Sequence, residues 1–216
     1  MRVFDCVILN GELDMLQARF REYEDIPEVI HVIAEAAADY AGNPKPLHFI
    51  QSPLAGQWRG KWNHIRVEAH ELPEDASPRD RKNALREYLA QGVNGDPDDI
   101  VLHGGMDEFP APWVIRELLS GKIKPAVSME MRHCAYRADL IHPVPWRGTV
   151  AQEWRYTGSF AGIRERRAEL PAILAAGTRL SMYGGEVPED GKHPDGKYLW
   201  ETEVDESWPS WVRGVS

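Results

Sequence analysis

Cysteine and long apolar runs are scarce in this sequence. Its two cysteines, Cys6 and Cys134, lie far apart in apolar, strand-like segments, so we expect buried free thiols rather than a disulfide. No apolar run approaches the roughly 20 residues that cross a bilayer. The opening residues, MRVFDCVIL, have a strand pattern and lack the apolar region and cleavage site of a signal peptide. We therefore expect a cytoplasmic protein with no membrane partner.

Basic residues are outnumbered by acidic ones. The chain has 25 Lys and Arg against 34 Asp and Glu, which gives a net charge of -9. This charge disfavours a general nucleic-acid or anionic-membrane binder, because neither partner attracts it at long range. A local basic groove remains compatible with it. A length of 216 residues is enough to bury one sizeable core, so we predict a single domain over residues 1–216.

The common nucleotide, metal and hydrolase motifs are also missing. The chain contains no GxxxxGK[ST] loop and no GxGxxG after its first strand, so P-loop and Rossmann dinucleotide sites lose their main support. It has no CxxC pair and no HExxH, which argues against a structural zinc or a zincin. A GxSxG elbow is absent as well.

Strand and helix patterns alternate along the first half. An apolar run over 3–9 precedes a helical pattern that carries Leu13, Leu16 and Phe20, and a second strand follows over 28–35. This order favours an α/β fold with a mostly parallel sheet. Residues 47–64 are irregular, with one short helix near Trp58. Further strands are predicted over 64–69, 100–103, 126–136, 150–156 and 178–183, and further helices from Ser77 to about 90, over 113–119 and after Ser159.

The predicted strand over 100–103 ends in a pair of carboxylates. Two glycines and Met106 lead to Asp107 and Glu108, and Pro110 follows. An apolar strand that ends in acids is how many α/β enzymes present a divalent cation or a phosphate ligand at the carboxyl edge of a sheet. An ordinary acidic turn before the next helix has the same pattern. The pair is the best chemical feature of the chain by elimination.

Several aromatic, histidine and arginine residues elsewhere can be interpreted as structural residues. Trp146 lies in the Pro-rich segment HPVPWRG, where its ring can stack on a sugar or anchor a loop. His31, His103 and His133 alternate within strands and are interpreted as core or edge residues. The helical run with Arg164, Arg166 and Arg167 is interpreted as a solvated face.

Several segments together resemble glycosyltransferase family 17, the β-1,4-mannosyl-glycoprotein N-acetylglucosaminyltransferase type. FDCVILNGELDMLQARF is similar to its FDC…NELDLLEIRL, and VIAEAAADYAGNPKPLHF to its VIVES…TGKPKPLYF. RKNAL is similar to QRNAL, and DDIVLHGGMDEFP to DDIVIISDVDEIP. Trp146, Gly148 and Thr149 resemble a W.GT loop, and AAGTRLSMYGG resembles GWHFSY.GG. The blocks fall in the family's order along nearly the whole chain.

The resemblance implies a GT-A-like α/β/α sandwich with a central, mostly parallel sheet. It divides the chain into a nucleotide-sugar-binding half, about 1–110, and an acceptor-binding half, about 111–216. It also implies an inverting transfer of a sugar from a nucleotide-diphosphate donor, a UDP-sugar, to a hydroxyl acceptor. The diphosphate gains negative charge as it leaves, so a divalent cation or a fixed Arg or Lys must offset that charge.

The positions that match the family's blocks imply the site residues. Asp107 is expected to hold a metal, Mn or Mg, with Glu108 in support. The donor site is expected to contain Asn10, Glu12, Glu35, Lys45, Asn83, Asp107, Glu108 and Arg179. Trp146 is the expected acceptor-binding residue. An inverting transfer also needs one general base, with Glu186, Glu153 and Glu130 as candidates and Glu186 preferred because it follows Gly184-Gly185.

Two departures from the family pattern bear on metal use. Gly105 stands where the family has the first acid of its DxD, and Arg179 stands where it has a histidine. A guanidinium cannot be a metal ligand, but it can neutralise a diphosphate. We therefore expect Arg179 to take over part of the cation's work, with weak or absent metal dependence.

Two other functions stay open. One is a catalytically impaired relative that binds a nucleotide or a glycan as a recognition module, and the weaker one is a nucleotidyltransferase or phosphodiesterase. A chain without the anchor and extra length of secretory-pathway members is expected to use an acceptor other than a luminal N-glycan. Glycan precursors, proteins and modified nucleic acid are the remaining acceptor classes, with the acidic balance against nucleic acid. The oligomeric state is open.

Overall fold

The structure is a computed structural model that describes residues 1–137, 139–182, 185, 186, 188, 192–195, 197 and 199–201. The strands are β1 Val3–Leu9, β2 Val29–Ala36, β3 Trp62–Val67, β4 Ile100–His103, β5 Glu108–Pro110, β6 Val127–Ala135, β7 Leu140–Ile141, β8 Trp146–Glu153, β9 Ala172–Ile173, β10 Gly177–Ser181 and β11 Trp200–Glu201. The helices are α1 Leu13–Glu22, α2 His48–Gln51, α3 Pro53–Gln57, α4 Pro78–Glu87, α5 Pro112–Leu119 and α6 Phe160–Glu165. Short 3-10 turns cover Ala69–Glu71, Tyr88–Gly92, Trp154–Tyr156 and Arg166–Glu169.

One large mixed sheet organises the fold. Its strand order is β11-β7-β6-β8-β4-β1-β2-β3, and β3, β2, β1 and β4 run parallel. β8 is antiparallel to both β4 and β6, while β10 pairs parallel with β6 and antiparallel with β5. The predicted α/β class with a mostly parallel central sheet is confirmed.

Helices cover both faces of β1, and all of its residues are buried. Asp5 is the only one of them that is not apolar. Val7 and Leu9 pack with Leu16 and Phe20 of α1. Phe4, Cys6 and Ile8 point to the other face, as alternation requires, and pack with Leu85 of α4. Such a run, buried on both sides, is typical of a central parallel strand. The carboxyl ends of β1 and β4 therefore open at one edge between two helical layers.

Three local predictions differ from the structure. β8 begins at Trp146, so this residue lies in a strand and not in a loop. Residues 47–64 contain two short helices and the start of β3. β5 follows the carboxylates directly and was not predicted, because it exists only through its antiparallel pairing with β10. Gly177 permits that pairing, since its φ is +153° and a Cβ there would lie 2.1 Å from the Phe109 carbonyl oxygen.

Both cysteines are buried and free, as predicted. In the part of the chain that the structure describes, no helix has the length and apolar character needed to span a membrane. Gly184 and Tyr183 of the family-like block lie outside the described residues, and so do Trp208 and Trp211 of the tail.

Candidate active site

A buried arginine fixes the loop that carries the two carboxylates. Arg19 of α1 is fully buried and pairs with both oxygens of Asp5 on β1, at 2.5 and 2.8 Å. Its Nη1 donates to the carbonyl oxygens of Gly105, Met106 and Glu108 at 3.2, 3.3 and 2.6 Å. Burial alone would raise the pKa of Asp5, but Arg19 and the His31 ring hold that pKa well below its usual range. The loop after β4 is thereby tied to β1 before any ligand is present.

Glu108 is a buried carboxylate whose two oxygens are fully engaged. Arg164 of α6 donates to both of them, at 2.7 and 2.8 Å. Trp146 Nε1 and Thr149 Oγ1 each add one hydrogen bond at 2.9 Å. Burial opposes ionisation, yet Arg164, and after it the Trp146 hydrogen bond, keep the pKa of Glu108 well below its usual range. Glu108 is therefore ionised at neutral pH.

This arrangement explains the spacing of Trp146, Gly148 and Thr149. Trp146 and Thr149 both donate to Glu108. Between them, a Cβ on Gly148 would lie 2.8 Å from the Trp146 ring and 3.0 Å from the carboxyl carbon of Glu108, closer than side chains allow. The motif thus positions Trp146 and Thr149 as donors to Glu108, and Gly148 leaves the space that the Trp146 ring and the carboxylate need.

Asp107 takes part in a second, more open ion pair. Its Oδ2 accepts from Arg179 Nε on β10 at 2.9 Å. The Arg179 guanidinium carbon lies 3.8 Å from the ring centre of Trp146, and that of Arg167 lies 5.2 Å from it. These are cation–π distances. The Trp146 ring predicted to bind the acceptor is therefore half-buried beneath guanidinium groups.

His133 of β6 borders the same stack. Its Nε2 lies 2.8 Å from Ser181 Oγ and 3.4 Å from Arg179 Nη1. Burial, with Arg179 as the next cause, lowers the pKa of His133 to about 3. The His133 ring is therefore neutral, and Arg179 carries the positive charge of this pair.

Two adjoining cavities lie at this edge of the sheet and share Lys82, Arg86, Gly105 and Asp107. The first has a volume of about 350 Å³ and is bordered by Ile8, Glu12 and Tyr40. The second, about 290 Å³, is lined by six basic and three acidic side chains. The basic ones are Arg79, Lys82, Arg86, Arg164, Arg167 and Arg179, and the acidic ones are Asp107, Glu108 and Glu165. This second cavity is the local basic groove that the overall charge of -9 left open.

The cations in this groove crowd one another. Burial, then Arg86, lowers the pKa of Lys82. Burial, then Arg164, lowers the pKa of Arg86 and of Arg167. The Arg86 Nε is also buried without a hydrogen-bond partner. Because like charges disfavour one another's ionised form, an anion bound here would relieve both the repulsion and the unpaired donor.

Five of the predicted donor residues meet at these cavities. Glu12 borders the first, Asn83, Glu108 and Arg179 border the second, and Asp107 borders both. Asn83 Oδ1 accepts from Arg86 at 3.0 Å. Asn10 lies beside them, because its backbone N–H donates to Glu12 at 2.7 Å.

Glu35 and Lys45 pair with each other away from the cavity linings. Their side chains are 3.4 Å apart. Glu35 also accepts the backbone N–H groups of His48 and Phe49 at 2.6 and 3.1 Å, at the start of α2. This buried carboxylate is thus engaged in holding a connection between β2 and α2.

The three predicted bases are widely separated. Glu153 lies opposite Ile100, at the start of β4, and bonds to Arg155 at 2.9 Å. The carboxylates lie beyond the other end of β4. Glu130 is three residues before His133 on β6 and so faces the opposite side of the sheet. Glu186 is exposed and follows β10, the strand that carries Arg179.

The prediction of a solvated arginine face was wrong for two of its members. Arg164 is buried against Glu108, and Arg167 is half-buried near Trp146. Lys82, Arg86 and Tyr40 were not selected at all. RKNAL and the arginine that follows it contained the signal for the first two, since Lys82 and Arg86 are four residues apart and share a helix face.

The carboxylate pair does not fit a divalent cation. All four acceptor positions of Glu108 are used by Arg164, Trp146 and Thr149. Asp107 is paired with Arg179, and Gly105 supplies no second acid. A metal ion would also have to enter a groove with an excess of basic side chains. No chemical step is therefore derived through a metal at Asp107 and Glu108.

No curated protein has a significantly similar sequence. A solved crystal structure of an active-site mutant of LgtC is 13% identical, with a TM-score of 0.41 over 79% of this chain. This chain spans 65% of that one, and at this TM-score the likeness carries no argument.

A family model described as Glycosyltransferase family 17 matches residues 1–177. This match covers most of the chain and includes every block of the resemblance up to Gly177. The predicted family is confirmed, and this chain belongs to glycosyltransferase family 17.

Proposed function

We propose that this chain is an inverting glycosyltransferase that moves a sugar from a nucleotide-diphosphate donor, a UDP-sugar, to a hydroxyl acceptor. The observation that carries the proposal is the basic groove at the carboxyl end of β4, with Lys82, Arg86 and Arg179 around it. Family membership supports glycosyl transfer, and the groove supports a diphosphate-bearing donor, since a diphosphate needs several fixed cations in one place.

The two cavities offer separate places for the diphosphate and the nucleoside of the donor. The diphosphate would occupy the basic groove, while the nucleoside would enter the adjoining cavity beside Ile8 and Tyr40. Tyr40 is half-buried there, with Lys82 Nζ 5.4 Å from its ring centre. The donor half is thus proposed to fall within residues 1–110 and the acceptor half within 111–216.

The reaction can be written from these groups. The acceptor oxygen attacks the anomeric carbon while the bond from that carbon to the phosphate oxygen breaks. The electron pair of that bond stays on the diphosphate, where Arg179, Lys82 and Arg86 stabilise the new charge. The acceptor proton passes to a carboxylate, for which Glu186 is our candidate. In this scheme fixed cations replace the metal of a complete DxD site.

Nucleotide binding tests the first part of the proposal. In thermal shift and calorimetry, UDP should stabilise the protein more than UMP, and UMP more than uridine. At a hundred times its dissociation constant a ligand adds about 2.7 kcal/mol of stability. Lys82→Ala and Arg86→Ala should reduce this shift, whereas Arg116→Ala, an exposed arginine of α5, should not. Equal shifts for UDP and uridine would contradict a diphosphate site in the groove.

A recognition module without turnover is the second candidate. The motivation for it is that Gly105 and Arg179 stand where the family has an acid and a histidine, and that Asp107 is paired with Arg179. Incubation of the protein with UDP-sugars, with and without acceptors, separates the functions. Release of UDP supports the transferase, and binding with no product supports the module. Release of a monophosphate or pyrophosphate would instead indicate a nucleotidyltransferase or phosphodiesterase.

A further inference from the structure

A cluster of two histidines and one aspartate lies beyond His133, outside the basic groove. Each of His142, His193 and Asp195 offers one ligand atom, and these atoms lie within 4.8 Å of one another. His142 is buried and directly follows β7. The other two come from a separate segment, 192–195, so the cluster joins two distant parts of the chain.

The ligand atoms of the cluster are close enough together to share one ion. His142 Nε2 lies 3.0 Å from Asp195 Oδ2, and His193 Nδ1 lies 3.2 Å from Asp195 Oδ1. His142 Nδ1 lies 3.1 Å from both the carbonyl oxygen and the backbone nitrogen of Val144. With no metal bound, Nδ1 can accept from that N–H while Nε2 donates to Asp195. In the tautomer that binds a metal, Nδ1 donates to the carbonyl and Nε2 presents a lone pair toward the carboxylate. A metal-bound histidine has this arrangement, with its second nitrogen held by a backbone carbonyl.

A third histidine and an arginine lie next to the cluster. His133 is 4.6 Å from His142 and 5.4 Å from His193, measured between ring centres. Arg179 approaches His133 at 3.4 Å. One divalent ion bound by the cluster would satisfy the Asp195 carboxylate and both imidazole nitrogens together.

We propose that His142, His193 and Asp195 bind one divalent transition metal of the zinc class. Two imidazole nitrogens and a carboxylate suit zinc, whereas magnesium and calcium prefer oxygen ligands alone. Three protein ligands leave one tetrahedral position for water. His133 is not a ligand, because its Nε2 is engaged by Ser181 Oγ at 2.8 Å. The site contains neither Asp107 nor Glu108, and the proposal does not rest on glycosyl transfer.

Metal content and spectroscopy test this site without any assay of activity. Untagged protein is stripped with a chelator and then titrated with zinc by calorimetry, and the bound metal is counted by mass spectrometry. We expect one zinc per chain. Cobalt in its place should give the intense visible absorption of a four-coordinate ion. Asp195→Asn and His142→Gln should each weaken zinc binding more than about 100-fold, beyond the effect of losing an outer hydrogen bond.

Two controls separate this site from its neighbours. Asp107→Asn should leave the zinc stoichiometry unchanged, and so should His70→Gln, which alters an exposed histidine. Asp195 is exposed, so its variant is expected to fold, which circular dichroism checks. The proposal is overturned if the intact chain takes up no stoichiometric zinc, or if folded Asp195→Asn and His142→Gln bind zinc as tightly as the parent protein.

Discussion

Glu108 and Arg164 form a buried ion pair joined by two hydrogen bonds, at 2.7 and 2.8 Å, between the start of β5 and α6. The guanidinium also donates to the His103 carbonyl oxygen at 3.0 Å. The pair links the loop that carries Asp107 to the helix that forms one wall of the groove. Its first role is therefore to hold the site's shape.

Removal of one partner of this pair should be strongly destabilising. Glu108→Gln leaves the buried guanidinium of Arg164 without its counter-charge, and loss of one member of a buried pair costs about 3–5 kcal/mol. Arg164→Met should cost a similar amount, and the double variant less than the sum of the two. Urea denaturation measures all three. Glu165→Gln breaks the exposed pair with Arg79 and should cost less than about 1 kcal/mol. Strictly additive losses would contradict the direct coupling.

Gly105 marks a place where a side chain cannot enter without moving Asp107. A Cβ there would lie 2.6 Å from Asp107 Oδ1 and 3.3 Å from Glu108 Oε1. Gly105→Ala should therefore push the Asp107 carboxylate away from Arg179, cost up to about 1 kcal/mol of unfolding free energy, as loss of a partly exposed ion pair does, and weaken UDP binding. Gly158→Ala is the matched control, since its Cβ would meet nothing within 4 Å. Unchanged stability and affinity in Gly105→Ala would show that Asp107 moves freely.

Lys82 should make nucleotide binding depend on pH on the alkaline side. Its pKa is lowered by burial and by Arg86, so the amine loses its proton at a lower pH than an exposed lysine. The UDP dissociation constant, measured by calorimetry from about pH 7 to about pH 10, should rise as that charge is lost. Lys82→Arg should flatten the rise because arginine stays protonated. A rise of equal size in Lys82→Arg would assign it to another group.

His103 should weaken the fold in acid. Both of its ring nitrogens are buried without partners, and burial followed by Arg164 lowers its pKa to about 3. The unfolded chain takes up a proton near the usual pKa of about 6.5, whereas the folded chain does not. The free energy of unfolding is therefore unaffected by this titration above that pH, and it falls as the pH drops toward 3.

His103→Leu tests this acid sensitivity. The variant removes the unpaired ring nitrogens and the group that titrates. Its free energy of unfolding, measured by urea denaturation, should therefore fall less than the parent's over the same pH range. At neutral pH it should equal or exceed the parent, since a buried unsatisfied group costs about 1–3 kcal/mol. His70→Gln, at an exposed position, should follow the parent curve. Parallel curves for His103→Leu and the parent would refute the assignment.

The sequence pattern predicted the strands and helices better than it predicted the side chains of the site. β4 has the predicted bounds, because an uninterrupted apolar run is buried on both faces wherever it lies. Arg164 was misjudged, since its periodicity is that of a surface residue and its burial depends on Glu108, 56 residues away in sequence. Trp146 was placed in a loop because two prolines precede it, yet pairing with β6 makes it the start of β8. Contacts between distant segments decided these cases.

Glu186 is our proposed base for the reaction, and its replacement should affect turnover more than binding. It is exposed and follows β10, the strand that carries Arg179, whereas Glu153 and Glu130 lie at the far end of β4 and on the opposite sheet face. Glu186→Gln should lower kcat by about 10²–10⁴ with the UDP dissociation constant unchanged. Glu153→Gln and Glu130→Gln should keep parental kcat values. Rates of UDP release with a responsive acceptor provide the measurement, and a fully active Glu186→Gln would exclude this carboxylate as the base.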